Sequence, residues 1–401
     1  MTKQGSGLSI LHIGKFYPPY AGGMETHLED LATNLKQFAN VRVIVANTEK
    51  RSVTQRMAGV TVHRAGTIGY LAGAPISPGM VAAIKRSPAH IVHIHWPNPA
   101  AVLAYAASGH RGRLVFTYHS DVVRQKVWGS LFHPILKLVM ARCAAIICTS
   151  RNYVQSSPDL RPFRKRCHVI PYGIATEKLA APDRSAVENL RRKYGPRIVL
   201  AVGRLVYYKG FEYLIRAMRS VNARVVIVGD GPLRERLGSL ASEYGVTDRV
   251  VFAGQKNGKD LVPYFHAADV FALPSVARSE AFGIVQIEAM ACGKPVINTS
   301  LDSGVPSVSL DGITGLTVPP ADSESLAAAI NRLLSDDELR SRLGEAGRAR
   351  VAGEFTVETM VRRTSELYCR VLETAPVSYE QELTRTREYA NMSHILDETS
   401  L

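Results

Sequence analysis

Cysteine is scarce in this chain, and long hydrophobic runs are missing. The 401 residues include five cysteines, an odd number without the paired spacing of zinc ligands, so we expect neither a disulfide framework nor a structural zinc site. The most apolar internal stretch, residues 135–148, is interrupted by Lys137 and Arg142, whereas a membrane span needs about 20 mainly apolar residues. The first residues also lack the apolar length and cleavage pattern of a signal peptide. These absences predict a cytoplasmic protein without a transmembrane helix.

Acidic residues are few in one part of the chain. The net charge is +14, and residues 111–197 hold 17 lysines and arginines against five acidic residues. The basic run Arg161, Arg164, Lys165 and Arg166 fits either a solvated surface or peripheral contact with anionic lipid headgroups, and both interpretations stay open. The segment shows no aromatic interleaving and no recognised binding motif, so no nucleic-acid partner is expected.

Short apolar runs alternate with helix-length amphipathic segments along most of the chain. This alternation is typical of parallel sheets covered by helices. In the first half, the strand candidates are Leu8–Ile13, Val41–Ala46, Val60–Arg64, Ile91–His95, Leu114–Tyr118, Ala144–Cys148 and Val169–Ile170. In the second half, they are Ile198–Val202, Val225–Val228, Val250–Phe252, Val270–Leu273, Val296–Asn298 and Gly315–Val318. The last predicted helices are Ser323–Leu334, Asp336–Val351 and Val357–Leu372.

The alternation pauses near residues 180–183, and a chain of this length usually forms more than one domain. We therefore predict an α/β protein with two Rossmann-like, doubly wound domains. Residues 1–180 form the first domain and residues 181–372 the second. Residues 373–401 are expected to be a loosely docked or disordered tail.

Two strand-to-helix connections have residues suited to phosphate. Gly22 and Gly23 precede a predicted helix, whose free N–H groups and positive dipole end attract anions, although such a glycine pair is also common in ordinary turns. Arg204 and Lys209 follow the strand Ile198–Val202, and ligands of open parallel sheets bind beyond the strand carboxyl ends. Two cations at this edge match the two phosphates of a nucleoside diphosphate.

The densest signal is the segment Pro274–Ile297. Glu280 and Glu288 are eight residues apart, a little over two turns if both were helical, so they could face one cleft. Backbone N–H groups of Phe282, Gly283, Ile284 and Val285 would meet phosphate oxygens there. The helix is predicted to end at Gly293.

Together these segments resemble the retaining glycosyltransferases of family 4, which have the GT-B fold and a hallmark of two glutamates separated by seven residues. The resemblance covers about residues 8–370, through Gly22–Glu25, the Gly-Arg-Leu…Lys-Gly segment at 203–210, Gly229–Pro232 and the pair Glu280/Glu288. It implies two domains facing each other across a cleft that holds a sugar nucleotide. Residues 229–232 are otherwise typical of a structural turn.

The resemblance also implies roles for individual residues. Arg204 and Lys209 would hold the donor diphosphate, Glu288 the ribose hydroxyls and Glu280 the donor sugar. His119 would reach the sugar across the cleft, and Gly23 would approach the phosphate and the acceptor.

A narrower likeness concerns the donor. The segments His95–Pro99 and Tyr118–Lys126 look like those of a bacterial subgroup that includes GDP-mannose-dependent mannosyltransferases of surface polysaccharide assembly. GDP-mannose is therefore the favoured donor, and a glycan or lipid-linked molecule the expected acceptor. The loop Leu301–Ser307 departs from the Gly-Gly-acidic sequence of many relatives, so sugar selectivity cannot be transferred from it.

We expect chemistry without a metal ion. No Asp-x-Asp triplet occurs, and Arg204, Lys209 and helix-end amides can stabilise the leaving diphosphate instead. His93-Ile94-His95 could mimic a metal pair, but no carboxylate motif lies nearby. The alternatives are a UDP-sugar donor, an epimerase or phosphorylase on the same fold, and a catalytically silent nucleotide-binding subunit.

Overall fold

The computed structural model describes residues 7–20, 22–71, 73–121 and 126–373, and the side chains of all of these except 126–131. The resemblance at residues 122–125 and the tail prediction for residues 374–401 lie outside the described residues. Among the described helices, none combines the length and the apolar character needed to cross a bilayer.

The chain forms two compact units. In its described part, the first unit contains residues 7–149, 154–171 and 360–373, and the second contains residues 150–153 and 172–359. The sequence predicted a single boundary after residue 180. The structure instead returns the chain to the first unit near Met360, where the hydroxyl of buried Tyr368 lies 2.6 Å from Nδ1 of His93.

The first unit is built on a sheet whose strands are mostly buried. Its strands are β1 Ser9–Ile13, β2 Asn40–Ala46, β3 Val53–Met57, β4 Val60–Ala65, β5 Gly69–Leu71, β6 Ala74–Ile76, β7 Ile91–Trp96, β8 Arg113–Tyr118, β9 Ala145–Cys148 and β10 Cys167–Val169. Eight of them form one sheet in the order β10-β9-β8-β7-β1-β2-β4-β3, parallel except for the β3–β4 pair. Continuous apolar runs such as β7 suit this sheet because helices cover both of its faces.

Two features of the first unit were not predicted. The edge strand β3 has the sequence VTQRM and is almost wholly exposed, so it lacks the apolar pattern of a buried strand. The strands β5 and β6 pair only with each other as an antiparallel hairpin. Both elements are stabilised by pairing with a neighbouring strand rather than by burial, which composition does not reveal.

Besides the part of the last described helix from Met360 onward, five helices accompany this unit, the last of them spanning the point where the chain passes between units. They are α1 Gly23–Leu35, α2 Gly79–Lys85, α3 Pro99–Ser108, α4 Lys126–Ala141 and α5 Arg151–Ser156. Helix α3 begins with Pro99 in its first turn, and the side chain of Asn98 accepts a hydrogen bond from the amide of Ala101.

The second unit is a six-stranded parallel sheet. Its strands are β11 Ile198–Val202, β12 Arg224–Val228, β13 Val250–Gly254, β14 Val270–Ala272, β15 Val296–Thr299 and β16 Gly315–Val318. Its helices are α6 Glu177–Ala180, α7 Arg184–Tyr194, α8 Phe211–Ala217, α9 Arg234–Glu243, α10 Val262–Ala267, α11 Ile284–Ala291, α12 Val305–Val308, α13 Ser323–Ser335, α14 Asp337–Glu354 and the start of α15 Val357–Glu373. Alternate residues of β11 enter two separate apolar clusters, one on each face of the sheet. The predicted α/β class with two mostly parallel sheets is confirmed.

Candidate active site

The strand order of the second unit is β13-β12-β11-β14-β15-β16, which places a switch point between β11 and β14. The chain moves outward from β11 to β13 and then returns to the other side of β11. Ligands of open parallel sheets bind beyond the strand carboxyl ends at such a point. The segment 203–210 follows β11, and the segment 273–283 follows β14. Of the predicted site residues, these two segments contain Arg204, Lys209, Glu280, Phe282 and Gly283.

Lys209 and Glu280 meet at this edge. The Nζ atom of Lys209 lies 2.6 Å from Oε2 of Glu280, and the exposed fractions of the two side chains are 11% and 10%. The hydroxyl of Ser275 also donates to the same carboxylate oxygen, at 3.1 Å. The predicted phosphate ligand and the predicted sugar ligand are therefore partners of each other in this structure.

Arg204 belongs to the same group of charges. It is exposed, and together with Lys209 and Glu280 it acts electrostatically on the phenol of Tyr208. Burial raises the pKa of Tyr208, Glu280 raises it further, and the two cations oppose the shift. Of the two predicted cations, one is thus buried and paired while the other is accessible to solvent.

Close backbone contacts hold the two segments together. The amide of Val276 donates to the carbonyl of Tyr208 at 2.8 Å. Gly210 has a φ of +64°, and a Cβ atom there would lie 2.0 Å from the carbonyl oxygen of Pro274. Glycine is therefore required beside Lys209, both for the left-handed backbone and for the close approach.

The geometry of the glutamate pair differs from the prediction. Glu280 precedes helix α11, which begins at Ile284, so the two glutamates are not on one helix and the helical spacing considered for them does not apply. Gly283 caps the helix with a φ of +75° and no side-chain hydrogen bond. The reason for the short helix is this left-handed glycine, which turns the chain between Phe282 and Ile284. The first N–H groups of α11, at Ile284 and Val285, have no intrahelical partners.

Glu288 lies within helix α11 and is partly buried. Burial raises the pKa of its carboxyl to about 7. Among the described residues, no hydrogen bond or ion pair to this carboxylate is formed. A partly buried carboxylate of this kind suits a ligand with hydroxyl groups, because hydrogen bonds from those hydroxyls would replace the water that the carboxylate loses on burial.

The loop that departs from the family pattern packs against this site. The amide of Gly304 donates to the carbonyl of Ala281 at 2.7 Å, next to Glu280 and Phe282. A Cβ atom at position 304 would lie 2.6 Å from that carbonyl oxygen and 2.8 Å from the ring of Phe282. The loop is therefore tied to the Glu280 segment even though its sequence is unusual.

In the first unit, the order β7-β1-β2 gives a second switch point, between β1 and β7. Helix α1 begins there at Gly23, with Gly22 as its cap. The carboxylate of Glu25, in the first turn of α1, lies against the start of the helix. A Cβ atom at Gly22 would lie 2.2 Å from its Oε2 atom. Burial raises the pKa of this glutamate, and the cation of Lys15 lowers it. A phosphate near Gly23 would thus meet a carboxyl group as well as the helix dipole.

His119 ends a series of buried histidines at the same switch point. Nδ1 of His12 lies 3.1 Å from Nε2 of His95, and Nδ1 of His95 lies 3.2 Å from Nε2 of His119. We call His12, His95 and His119 the histidine relay. Burial lowers the pKa of all three, that of His12 to about 3, so each ring is neutral near pH 7. A neutral ring carries one proton, so His95 donates in one of these contacts and accepts in the other.

Two groups of three histidines bring their ring nitrogens within 4.8 Å of one another: His12, His93 and His95, and His27, His95 and His119. The sequence indicated only the pair His93 and His95. Both nitrogens of His93 are already occupied, at 2.6 Å from the Tyr368 hydroxyl and 2.5 Å from Thr117 Oγ1. These bonds leave His93 without a lone pair directed at a metal.

Sequence reasoning missed several residues of both sites. Ser275 and Tyr208 are ordinary types in loops, and nothing in their spacing marks them. His12 had a usable signal, because side chains alternate along a strand and His12 lies opposite His93 in the register of β1 and β7. A polar residue at the centre of an otherwise apolar strand is uncommon and indicates a specific partner.

Two known sequence profiles match the chain, one in each half. The profile described as Glycosyltransferase Family 4 matches residues 21–178. The profile described as Glycosyl transferases group 1 matches residues 184–350. Together they cover all of the predicted site residues.

Curated relatives and solved structures extend over nearly the whole chain. O-antigen chain mannosyltransferase C of Escherichia coli is 31% identical, covering 91% of this chain and 99% of the relative. D-rhamnosyltransferase WbpZ of Pseudomonas aeruginosa is 32% identical, covering 87% and 92%. Sucrose-phosphate synthase from Thermosynechococcus elongatus matches with a TM-score of 0.78 and 26% identity, over 92% of this chain and 100% of the other. The structure of Anabaena HepE in complex with UDP has the same fold, with a TM-score of 0.75 and 21% identity over 90% and 100% of the chains. The chain therefore belongs to glycosyltransferase family 4, has the predicted GT-B fold and is a glycosyltransferase.

Proposed function

We propose that this enzyme transfers a mannosyl group, with retention of configuration, from GDP-mannose to a glycan or lipid-linked acceptor in cell-surface polysaccharide biosynthesis. The observation that carries the proposal is the Lys209–Glu280 pair at the carboxyl ends of β11 and β14, beside the start of α11. An exposed cation, Arg204, accompanies the pair. Such a site offers positive charge to a diphosphate and hydrogen-bond acceptors to sugar and ribose hydroxyls.

Glycosyl transfer breaks the bond between the anomeric carbon and the phosphate oxygen. The transition state resembles an oxocarbenium ion, while negative charge grows on the leaving diphosphate. In our proposal Arg204, Lys209 and the amides of Ile284 and Val285 stabilise that charge, without a metal ion. The acceptor oxygen attacks from the face of the leaving group, whose phosphate takes up the proton. Glu280 and His119 orient the sugar, and Glu288 binds the ribose.

The choice of mannose rests on the names of relatives. Besides the O-antigen mannosyltransferase, a GDP-mannose-dependent phosphatidylinositol monomannoside mannosyltransferase of Mycolicibacterium smegmatis is 30% identical over 89% of this chain. The relative named a D-rhamnosyltransferase indicates that another hexose has to be tested as well.

A thermal-shift screen of nucleoside diphosphate sugars tests the donor. GDP-mannose is expected to raise the melting temperature, since a ligand present at 100 times its Kd adds about 2.7 kcal/mol to the free energy of unfolding. Stabilisation by UDP-sugars alone would contradict the choice of base, and stabilisation by GDP-rhamnose alone would contradict the choice of sugar. NMR of the product then checks the configuration, because an inverted linkage would exclude retention. Binding without any transfer to glycan acceptors would favour the silent subunit.

We also propose peripheral contact with anionic membrane through the basic run. Arg161, Arg164 and Lys165 are exposed, whereas Arg166 donates to the carbonyls of Ala141 and Cys143. Sedimentation with phosphatidylglycerol vesicles at low salt should be weakened by changing the three exposed residues to Gln. Equal sedimentation of the triple variant would favour the solvated surface.

A further inference from the structure

A cavity of about 710 Å³ lies in the first unit and has no role in the proposed reaction. Its walls come from the hairpin β5–β6, from helices α2, α3 and α4, and from the end of strand β7. Ligand pockets in proteins commonly have volumes of about 300–1,000 Å³ and mainly apolar walls. The size of this cavity therefore fits a ligand rather than a packing defect.

Helix α3 gives the cavity a continuous apolar wall. Ala100, Leu103, Ala104 and Ala107 all line it, at the spacing of one helix face. Across the cavity, Phe132 and Leu136 repeat this spacing on α4. Three alanines on α3 leave room that larger side chains would fill.

The carboxylates and the Ser77 hydroxyl in the wall are bonded within the protein, whereas the indole Nε1 of Trp96 is buried without a hydrogen-bond partner among the described residues. Asp121 accepts from the hydroxyls of Tyr118 and Ser157, at 2.8 Å and 2.7 Å. Asp159 accepts from Tyr118 at 2.9 Å and lies 3.1 Å from Nε2 of His133. Ser77, the other hydroxyl of the wall, lies 2.9 Å from the hydroxyl of Thr67. A polar ligand would give up hydrogen bonds to water here and gain few new ones, whereas a hydrocarbon has no such hydrogen bonds to lose.

The entrance is apolar as well. Leu71, Ile76 and Leu103 line the cavity and are 49%, 41% and 45% exposed. The same hairpin carries Ile68 and Tyr70, which are 63% and 57% exposed. Exposed apolar side chains grouped in this way mark a site for an apolar partner. A long chain entering the cavity would cover them.

The cavity adjoins the first unit's switch point through consecutive residues of β7. Trp96 lines the cavity, while its neighbours His95 and Pro97 line a small pocket with Gly14 and Glu25. His95 and Trp96 face opposite sides of the sheet, so the two pockets share only the carboxyl end of β7. The polar head of a chain bound in the cavity would reach the histidine relay around that end.

We propose that the cavity binds the hydrocarbon tail of an amphiphilic acceptor, such as an isoprenoid or acyl chain, and holds its polar head at the carboxyl end of β7. The identification of the tail as part of the acceptor rests on the proposed function. The binding of a hydrocarbon chain in the cavity is independent of that function. The bound chain packs against the alanine face of α3, and the hairpin β5–β6 lies over its outer part.

Fluorescence titration with cis-parinaric acid, without any sugar nucleotide, tests the cavity. The probe is expected to bind saturably, and alkyl maltosides below their micelle concentrations should displace it. Between octyl and dodecyl chains, affinity should rise by up to about fourfold per added methylene, as expected for burial of apolar surface. No saturable binding, or no dependence on chain length, would overturn the proposal.

The matched variants are Ala107→Trp and Ala106→Trp. Both positions are exposed on α3, but only Ala107 lines the cavity, so only the first indole fills it. We expect Ala107→Trp to weaken probe binding at least tenfold and Ala106→Trp to change it less than twofold. Equal effects of the two variants would mean that the probe binds elsewhere.

Vesicle sedimentation separates the acceptor's tail from bulk lipid. Wild type and Ala107→Trp should sediment equally with phosphatidylcholine vesicles if the cavity takes a single acceptor chain. Loss of sedimentation in Ala107→Trp alone would show that the cavity binds membrane lipid and would overturn the acceptor assignment. A protein that binds the probe but transfers no sugar would count against the proposed function and leave the cavity proposal standing.

Discussion

Lys209 and Glu280 form a buried ion pair with 2.6 Å between Nζ and Oε2. The pair joins the segment that follows β11 to the segment that follows β14, so it is part of the framework of the site as well as its chemistry. A buried charge without its partner is strongly unfavourable. Mutations at these positions therefore change stability and ligand binding together, and the two effects have to be measured separately.

Breaking the pair should be destabilising. Lys209→Met leaves the Glu280 carboxylate buried without its cation, and removing one partner of a buried ion pair costs about 3–5 kcal/mol. Urea denaturation should show this loss, and the double variant Lys209→Met/Glu280→Gln should lose less than the sum of the single changes. Strict additivity would contradict a direct interaction. Arg204→Met is the control, because Arg204 is exposed and its loss should leave the unfolding midpoint almost unchanged. The same variant should lower the affinity for GDP about tenfold, which corresponds to the loss of roughly one charge-assisted hydrogen bond.

Glu288 should make folding stability depend on pH. Its folded-state pKa of about 7 lies above the ordinary glutamate value of 4.5, so the folded protein holds a proton that the unfolded chain releases. This contribution is fully present below pH 4.5 and is lost as the pH rises to about 7. The side chain that Glu288→Gln introduces cannot ionise. The melting temperature of this variant minus that of the wild type should therefore increase from pH 5 to pH 8. A flat difference for Glu288→Gln over this pH range would contradict the raised pKa.

The histidine relay should affect turnover more than donor binding. In His95→Phe the ring volume is kept, but the contact between Nδ1 of His95 and Nε2 of His119 is lost. We expect kcat to fall on the order of tenfold, equivalent to about 1.4 kcal/mol in the barrier, with little change in donor KM. His93→Phe is the matched control, because His93 is equally buried and bonds to Thr117 and Tyr368 instead. If both variants lower kcat equally, the effect is structural.

Activity should not require a metal ion. EDTA treatment followed by gel filtration is expected to leave turnover unchanged, because Arg204, Lys209 and the start of α11 supply the positive charge. Metal analysis of the untreated protein should find less than stoichiometric zinc, since His12, His95 and His119 contact one another and both nitrogens of His93 contact hydroxyls. Loss of activity that Mg²⁺ or Mn²⁺ restores would contradict this expectation, as would zinc that disappears in His95→Phe.

The sequence was informative wherever burial and spacing determine the structure. The apolar run at 198–202 was predicted to the residue, because a parallel strand buried on both faces has a continuous hydrophobic sequence. The exposed strand β3 was missed, since its residues carry no such pattern. Loop geometry was less predictable: the left-handed backbone at Gly283 starts α11 after Glu280, and that conformation depends on the packing of Leu273 and Gln286 around it.

The site was predictable as a set of residue types and much less as a set of contacts. Arg204, Lys209, Glu280 and Glu288 were identified from order and spacing along the chain. In the structure Lys209 binds Glu280 while Arg204 stays exposed. This difference depends on where each side chain lies relative to the β11–β14 edge, which order and spacing along the chain do not give. The histidine relay joins residues 83 positions apart, and only the register between neighbouring strands brings them together.

The hydrogen bond between Tyr368 and His93 affects how this enzyme can be recombined with its relatives. Since α15 belongs to the first unit from Met360 onward, the second unit is not a contiguous C-terminal half. A chimaera made with one junction near residue 171 would import a foreign α15 and leave His93 facing a mismatched helix. Exchange of donor specificity should instead use two junctions, near residues 171 and 360, so that the native tyrosine stays with its histidine.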